Sequence, residues 1–147
     1  MSRIQPTIGS CLAFHAGPPP SHDLAGFGGL TYVHSGELIT IGDVGPESEV
    51  ITANTVCDGI VNKALGARNY GQQSNILVFK SDNGAQEIVE DASEDGTIVA
   101  VKETLSSGDI IYYNSFVSSF KIQAGGTSDY LRAAVNFEID GKLVKDY

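Results

Sequence analysis

The stretch YLRAAVNFEIDGKLV, residues 130–144, alternates with period two. Leu131, Ala133, Val135, Phe137 and Ile139 fall on one face, and Arg132, Ala134, Asn136 and Glu138 on the other. Successive side chains of a strand point to opposite faces, so this segment reads as a strand buried on one side and wet on the other, as in an antiparallel sheet. Upstream, DIIYYNSFVSSFKIQ (109–123), TIVAVKETL (97–105) and QQSNILVFKS (72–81) read as further strands. Between the last two, Asp82, Asn83 and Gly84 supply capping chemistry for a short helix over 84–92. Ala85, Ile88, Val89 and Ala92 recur there at i, i+3, i+4 and i+7, a single apolar stripe to lie against a sheet. Glu94-Asp95-Gly96 ends that helix.

Toward the N-terminus the pattern loosens. TIGSCLAFHA (7–16) puts Ile8, Leu12 and Phe14 near period two and reads as a first strand. GPPPSHDLAGFGG (17–29) reads as a surface loop, neither central strand nor helix, because three successive prolines remove three N–H donors. ELITIGDV (37–44) reads as a second strand ending at Gly45-Pro46. From Val50 to Tyr70 the flanks look extended and Asp58-Gly59 offers a hairpin turn, but the centre is polar with no sustained apolar face. A segment that cannot complete its own core is either disordered or completed by a partner. Strands with one inserted helix imply a mainly β fold: an antiparallel β-sandwich or barrel with one short flanking α-helix and a long inter-strand arm.

Composition narrows the function. A length of 147 residues, 41% hydrophobic and 18% charged, predicts a single folded domain. Nine basic against 18 acidic side chains give a net charge of −9. Tight nucleic-acid binding draws on Lys and Arg neutralising phosphates, and polybasic membrane attachment draws on the same charges, so both are disfavoured. No stretch has the length of a membrane-spanning helix, and no long apolar segment follows the N-terminal MSRIQPTIGS, so no membrane partner and no secretory leader are expected. Cys11 and Cys57 are expected as free, partly buried thiols of a cytosolic chain.

No constellation reaches the threshold for catalysis, a metal or a cofactor. His15, His22 and His34, with Asp23 nearby, have spacings that fit no compact ligand motif and read as surface histidines. Gly26-Phe27-Gly28-Gly29 lacks the leading strand and following helix of a phosphate cradle. Ser10 and Cys11 lack a nucleophile elbow. Glu87, Glu90, Asp91, Glu94 and Asp95 read as a solvated face, and Tyr112 and Tyr113 as packing residues.

In order and spacing these elements resemble the tail tube (major tail) protein family of long-tailed, non-contractile phages. The resemblance covers residues 7–16 and 37–144. It is carried by Gly9, Leu12 and Phe14 in the first strand, by LITIGDVGPESEVITANT, by GARNYGQQSNILVF (66–79), by FVSSF (116–120) and by LRAAVNFEIDGKLV. Residues 17–30 match nothing in the family.

The resemblance implies a structural, non-enzymatic virion protein, made in the bacterial host cytoplasm and built into the phage tail. Identical subunits would join into six-membered rings, and the rings would stack into a tube through which DNA travels without tight binding. Its partners would be further copies of itself and the tape measure, tail terminator and tail tip proteins. The segment Val50–Gly71 maps onto an arm lying on adjacent subunits, with Thr55, Asp58, Asn62, Lys63, Arg68, Asn69 and Tyr70 as inter-subunit candidates. Asp109, Asn136 and Glu138 are the candidates for the lumen, where acids and amides would repel phosphates. Two alternatives stay open: the tube-forming protein of a bacterial secretion system, and a small monomeric β-sandwich that binds carbohydrate or protein.

Overall fold

The computed structural model of the protein describes residue 4 and residues 6–36, 38–80 and 83–146. Glu37, Ser81 and Asp82, read above as a strand start, a strand end and a capping residue, lie outside the described residues. The elements run β1 (Cys11–Ala16), α1 (Leu24–Gly28), β2 (Val33–His34), β3 (Leu38–Thr40), β4 (Glu47–Asn54), β5 (Val61–Asn69), β6 (Gln72–Val78), α2 (Gly84–Asp95), β7 (Ile98–Thr104), β8 (Ile110–Gln123) and β9 (Arg132–Asp146). Seven strands form one antiparallel sheet in the order β2-β1-β7-β8-β9-β6-β3, while β4 and β5 pair only with each other.

The sheet curls onto itself. In a flat sheet β6 and β7, three strands apart, would stand about 14 Å from each other at ~4.8 Å per step. Yet Gln73 Nε2 of β6 donates to Glu103 Oε1 of β7 at 2.9 Å. Phe14 of β1 and Phe137 of β9, also three strands apart, bring their rings to 5.5 Å. The concave side holds the main core: Leu12, Phe14, Leu77, Val99, Val101, Tyr113, Ala133, Val135 and Phe137, plugged by Ala85, Val89 and Ala92 of α2. The expected mainly β antiparallel architecture with a flanking helix is therefore present.

The alternation of residues 132–139 fixes the register of β9, with Ala133, Val135 and Phe137 fully buried. A slip by one residue would send Val135 and Phe137 to water, at roughly 1.5–3 kcal/mol per large side chain, a large part of a domain's stability. At α2 the N-cap is Asn83, whose Oδ1 accepts from the amides of Ala85 (3.0 Å) and Gln86 (3.4 Å). Gly96 closes the helix in the left-handed conformation (φ 72°), donating its N–H to Ala92 O.

Four details differ from the expectations. The first strand begins at Cys11, since Thr7 to Ser10 form a turn closed by Ser10 N–H to Thr7 O (3.0 Å), and this leaves Ile8 85% exposed. The strand expected over 37–44 is only three residues long, and Gly42 leaves it for other partners. The 17–29 segment is not merely surface loop, for it contains α1, which sets Phe27 fully buried on the convex side of the sheet against Ala100 and Tyr112. Asp23 caps α1 by accepting from Gly26 N–H at 2.7 Å, and a Cβ on Gly26 would lie 2.1 Å from Ser21 O, so the glycine serves close packing. Finally, Cys57 is exposed rather than partly buried, and both cysteines are free thiols.

Candidate functional site

The arm expected over 50–71 is a regular hairpin. β4 and β5 pair from Glu47↔Asn69 to Asn54↔Val61, with a register shift between Ser48 and Val50. The turn is built locally: Thr55 Oγ1 donates to Ile60 O (3.2 Å), Gly59 N–H donates to Thr55 O (3.2 Å), and Gly59 takes φ 64°. No residue of the ribbon belongs to either buried cluster. Both faces of the ribbon lie open: Val50 pairs with Leu65 on one and Ile51 with Ala64 on the other. Val50, Ile51 and Val61 are more than half exposed and Leu65 is 74% exposed. In sequence the segment looks polar because its apolar residues lie in two separate runs, and only the cross-strand register brings them together.

The seven arm candidates divide by position. Thr55 and Asp58 lie in the turn, and Asn62 and Lys63 lie exposed on β5 opposite Ala53 and Thr52. Arg68, Asn69 and Tyr70 form the root. The Arg68 guanidinium lies over the Tyr70 ring at 5.7 Å, Asn69 Oδ1 accepts from Gly71 N–H at 2.8 Å, and Tyr70 packs against the main core.

Of the lumen candidates, Asn136 and Glu138 share the convex face of β9, opposite Ser74 and Gln72 of β6. Asp109 is not with them. It sits in the β7–β8 turn, accepting from Ser107 Oγ at 2.8 Å, about seven residues along β8 from the Phe116 that faces Glu138, roughly 20 Å at ~3.3 Å per residue. The face that bears Asn136 and Glu138 also bears Lys121 of β8 and Arg132 of β9, the latter 3.7 Å from Asp129, so its charge is mixed. The net −9 has its main source elsewhere. α2 alone carries five acidic residues and no basic one, which is five of the excess of nine (18 minus 9).

Sequence reading missed a buried polar cluster beside the hairpin root. In QQSNILV the inward positions are Gln73, Asn75 and Leu77, and the first two are polar yet fully buried. Gln73 Nε2 donates to Glu103 Oε1 and to Gly42 O (3.1 Å), and Gln73 Oε1 accepts from Asn75 Nδ2 (3.3 Å) and from the Tyr113 hydroxyl. The signal was available in the period-two register, which sends residues 73 and 75 to the same side as Leu77. Glu103 is 3% exposed, and burial raises its pKa above the ordinary glutamate value, against a smaller opposing effect of the Gln73 hydrogen bond. Tyr113 is pushed well above an ordinary tyrosine by burial and by the neighbouring Glu103.

The sign of the resulting pH dependence follows directly. A carboxyl whose pKa is raised by folding contributes its stability below the unfolded value of 4.5 and loses it as pH climbs through the raised folded value. Glu103→Gln keeps an acceptor for Gln73 and removes the buried charge. It should melt a few degrees higher than the parent at pH 7–8, with the gap closing as pH falls toward about 4.5. Thermal melts across that range check this, and a Gln variant less stable at neutral pH would contradict it.

Glu103 also floors a shallow depression of about 250 Å³ with Pro6, Thr7, Ser10, Ile41, Leu105 and Ser106. Its two serine hydroxyls are engaged with backbone: Ser10 Oγ accepts from Ser106 N–H and Ser106 Oγ donates to Pro6 O. The histidines sit apart in separate contacts, His15 Nδ1 with Thr31 O (3.0 Å), His22 Nε2 with Lys142 O (2.6 Å) and His34 Nε2 with Cys11 Sγ (3.5 Å).

The sequence matches no protein-family model and no curated protein. The fold, by contrast, matches solved structures over almost its whole length. One is the tail of an empty gene transfer agent particle with C6 symmetry, at TM-score 0.73 and 15% identity, covering 98% of this chain and 100% of that one. Another is the virion of a native gene transfer agent particle, at TM-score 0.69 and 16% identity, covering 98% and 100%. A third is the SPP1 tail tube, at TM-score 0.65 and 13% identity, covering 96% of this chain and 79% of that one. Identities this low speak for the fold alone. The chain has the fold of a phage tail tube protein.

Proposed function

We propose that this chain is a structural tail tube subunit that assembles with copies of itself and carries no catalytic site. One observation carries the reading: a two-stranded ribbon with Val50, Ile51, Val61 and Leu65 bare stands outside a core that is complete without it. An isolated two-stranded hairpin is marginal in water, and bare apolar residues on both faces call for surfaces on both sides. The C6 symmetry of one tail that shares the fold supports the form of assembly in this reading, six-membered rings stacked into a tube for DNA ejection and joined at each hairpin. The short edge strands β2 and β3 are further sites for pairing between neighbours. On this reading the chain works in the virion tail, alongside tape measure, terminator and tip proteins, after synthesis in the host cytoplasm. Electron microscopy and sedimentation over rising concentration test it, with rings or tubes expected. A protein that stays monomeric throughout would overturn it in favour of a binding module.

DNA should pass such a tube without sticking. The convex face carries Glu138 and Asn136 as well as Lys121 and Arg132, a mixed set with no run of cations to release counterions from a phosphate backbone. Binding of duplex DNA to assembled tubes should therefore be weak even at about 20 mM salt. A salt-sensitive affinity of about micromolar or tighter would exclude this passive channel.

A further inference from the structure

The chain passes from β3 to the hairpin through Gly42, Asp43, Val44, Gly45 and Pro46, with Val44 packed on the main core, and the structure holds Gly42 in an unusual way. Asn75 Oδ1 accepts from Gly42 N–H at 3.1 Å and Gln73 Nε2 donates to Gly42 O at 3.1 Å. Two side chains on the same face of β6 thus grip both backbone groups of one residue, in place of the strand ladder that ends at Thr40. The approach is so close that a Cβ on Gly42 would lie 2.3 Å from Ser74 O and 2.6 Å from Ser74 N. The grip is itself held in place, because Gln73 is fixed by Glu103, Asn75 and the Tyr113 hydroxyl. Leaving Gln73 and Asn75 buried on a strand is expensive unless every polar atom is used, and here their atoms are spent on Gly42 and on one another.

We propose that Gln73 and Asn75, braced by Glu103 and Tyr113, are positioning residues that clamp Gly42 and so fix the direction in which the hairpin leaves the barrel. The consequence for assembly rests on the hairpin being the joint between subunits; the clamp itself does not. The lever arm explains why a clamp is needed. β4 has eight residues, about 26 Å at ~3.3 Å per residue, so an error of about 10° at the root moves the tip by roughly 4–5 Å. That exceeds the reach of a packed contact. The second root strand is tied independently, by Gly71 O accepting from Ile139 N–H of β9 at 3.0 Å and by Tyr70 in the core.

Spin labels at Glu47→Cys, the start of β4, and Asp91→Cys, on the exposed side of α2, read the launch directly in a Cys11→Ser, Cys57→Ser background. The parent should give a narrow separation distribution. Gly42→Ala forces the backbone off Ser74, and Asn75→Leu removes the acceptor for Gly42. Each should broaden or shift the distribution, and the assembled fraction should fall at least tenfold. Gly42→Ala also strands the Gln73 and Asn75 atoms that hold Gly42, so its melt should fall by several degrees while every core side chain is retained. The separation is then read well below that melt, and this variant decides the matter if Asn75→Leu fails to fold. An unchanged distribution in Gly42→Ala, or a lowered melt with no change in separation, would overturn the clamp. A changed distribution with assembly intact would leave the clamp standing and remove the hairpin as the joint.

Discussion

A chain in which Ala53–Asn69 is replaced by a short Gly/Ser linker should fold like the parent and fail to assemble. The replaced residues pair only within their own two-stranded ribbon, so none of the seven strands of the main sheet loses a partner. None of them belongs to either buried cluster. Shortening the loop has little effect on closure entropy, since each doubling of length is worth only about 0.6 kcal/mol. The variant should therefore keep a cooperative melt and a β-type spectrum. Assembly is another matter. The ribbon holds the bare Val61 and Leu65 together with Asn62 and Lys63, and Val50 and Ile51 lose their cross-strand partners with it. Burial at ~25 cal/mol per Å² makes each such residue worth a kilocalorie or more per contact, repeated at every subunit of a ring. Where the parent forms rings or tubes, the variant should stay monomeric by sedimentation and electron microscopy. Continued polymerisation would show that the hairpin is not the joint, and failure to fold would show that it belongs to the core.

The fold was legible where one periodicity ran long enough to be read. β9 declared itself through Ala133, Val135 and Phe137, and α2 through Ala85, Val89 and Ala92 followed by Gly96. Legibility failed where a residue's role depends on a neighbour distant in sequence. Leu65 and Val50 form an apolar patch only once β4 and β5 are in register. Gln73 looks like any polar strand residue until the sheet curls and brings Glu103 to it. The acidic balance is silent in a different way, because a net charge carries no position. Five of its charges lie along α2, on the concave side of the sheet, and Asn136 and Glu138 lie on the convex side with Lys121 and Arg132. Asp109 was grouped with them by residue type and sits at the far end of β8.

The proline loop supplies the second large expected effect, through one side chain. Phe27 is fully buried, its ring 5.7 Å from Tyr112 in a stacked arrangement and 5.3 Å edge-on from His22. It seals the convex side of the sheet over Ala100, while the Tyr32 hydroxyl donates to its carbonyl at 2.8 Å. The run Pro18-Pro19-Pro20 stiffens the approach, and Ser21 Oγ donates to the Asp23 carboxylate (2.9 Å) that caps α1. Deleting a buried phenylalanine ring commonly costs about 3–5 kcal/mol, the lost transfer energy plus the cavity left behind. For a chain of this length that corresponds to a melting temperature lower by about 10–20 °C. Phe27→Ala should show that drop, together with binding of an apolar dye as Tyr112 and Ala100 meet water. Below its melt it should still assemble, since the hairpin and its root lie elsewhere. The two variants thus part cleanly: one loses assembly and keeps its melt, the other lowers its melt and keeps assembly. A shift under about 3 °C for Phe27→Ala would mean that the loop rides on a barrel that does not depend on it.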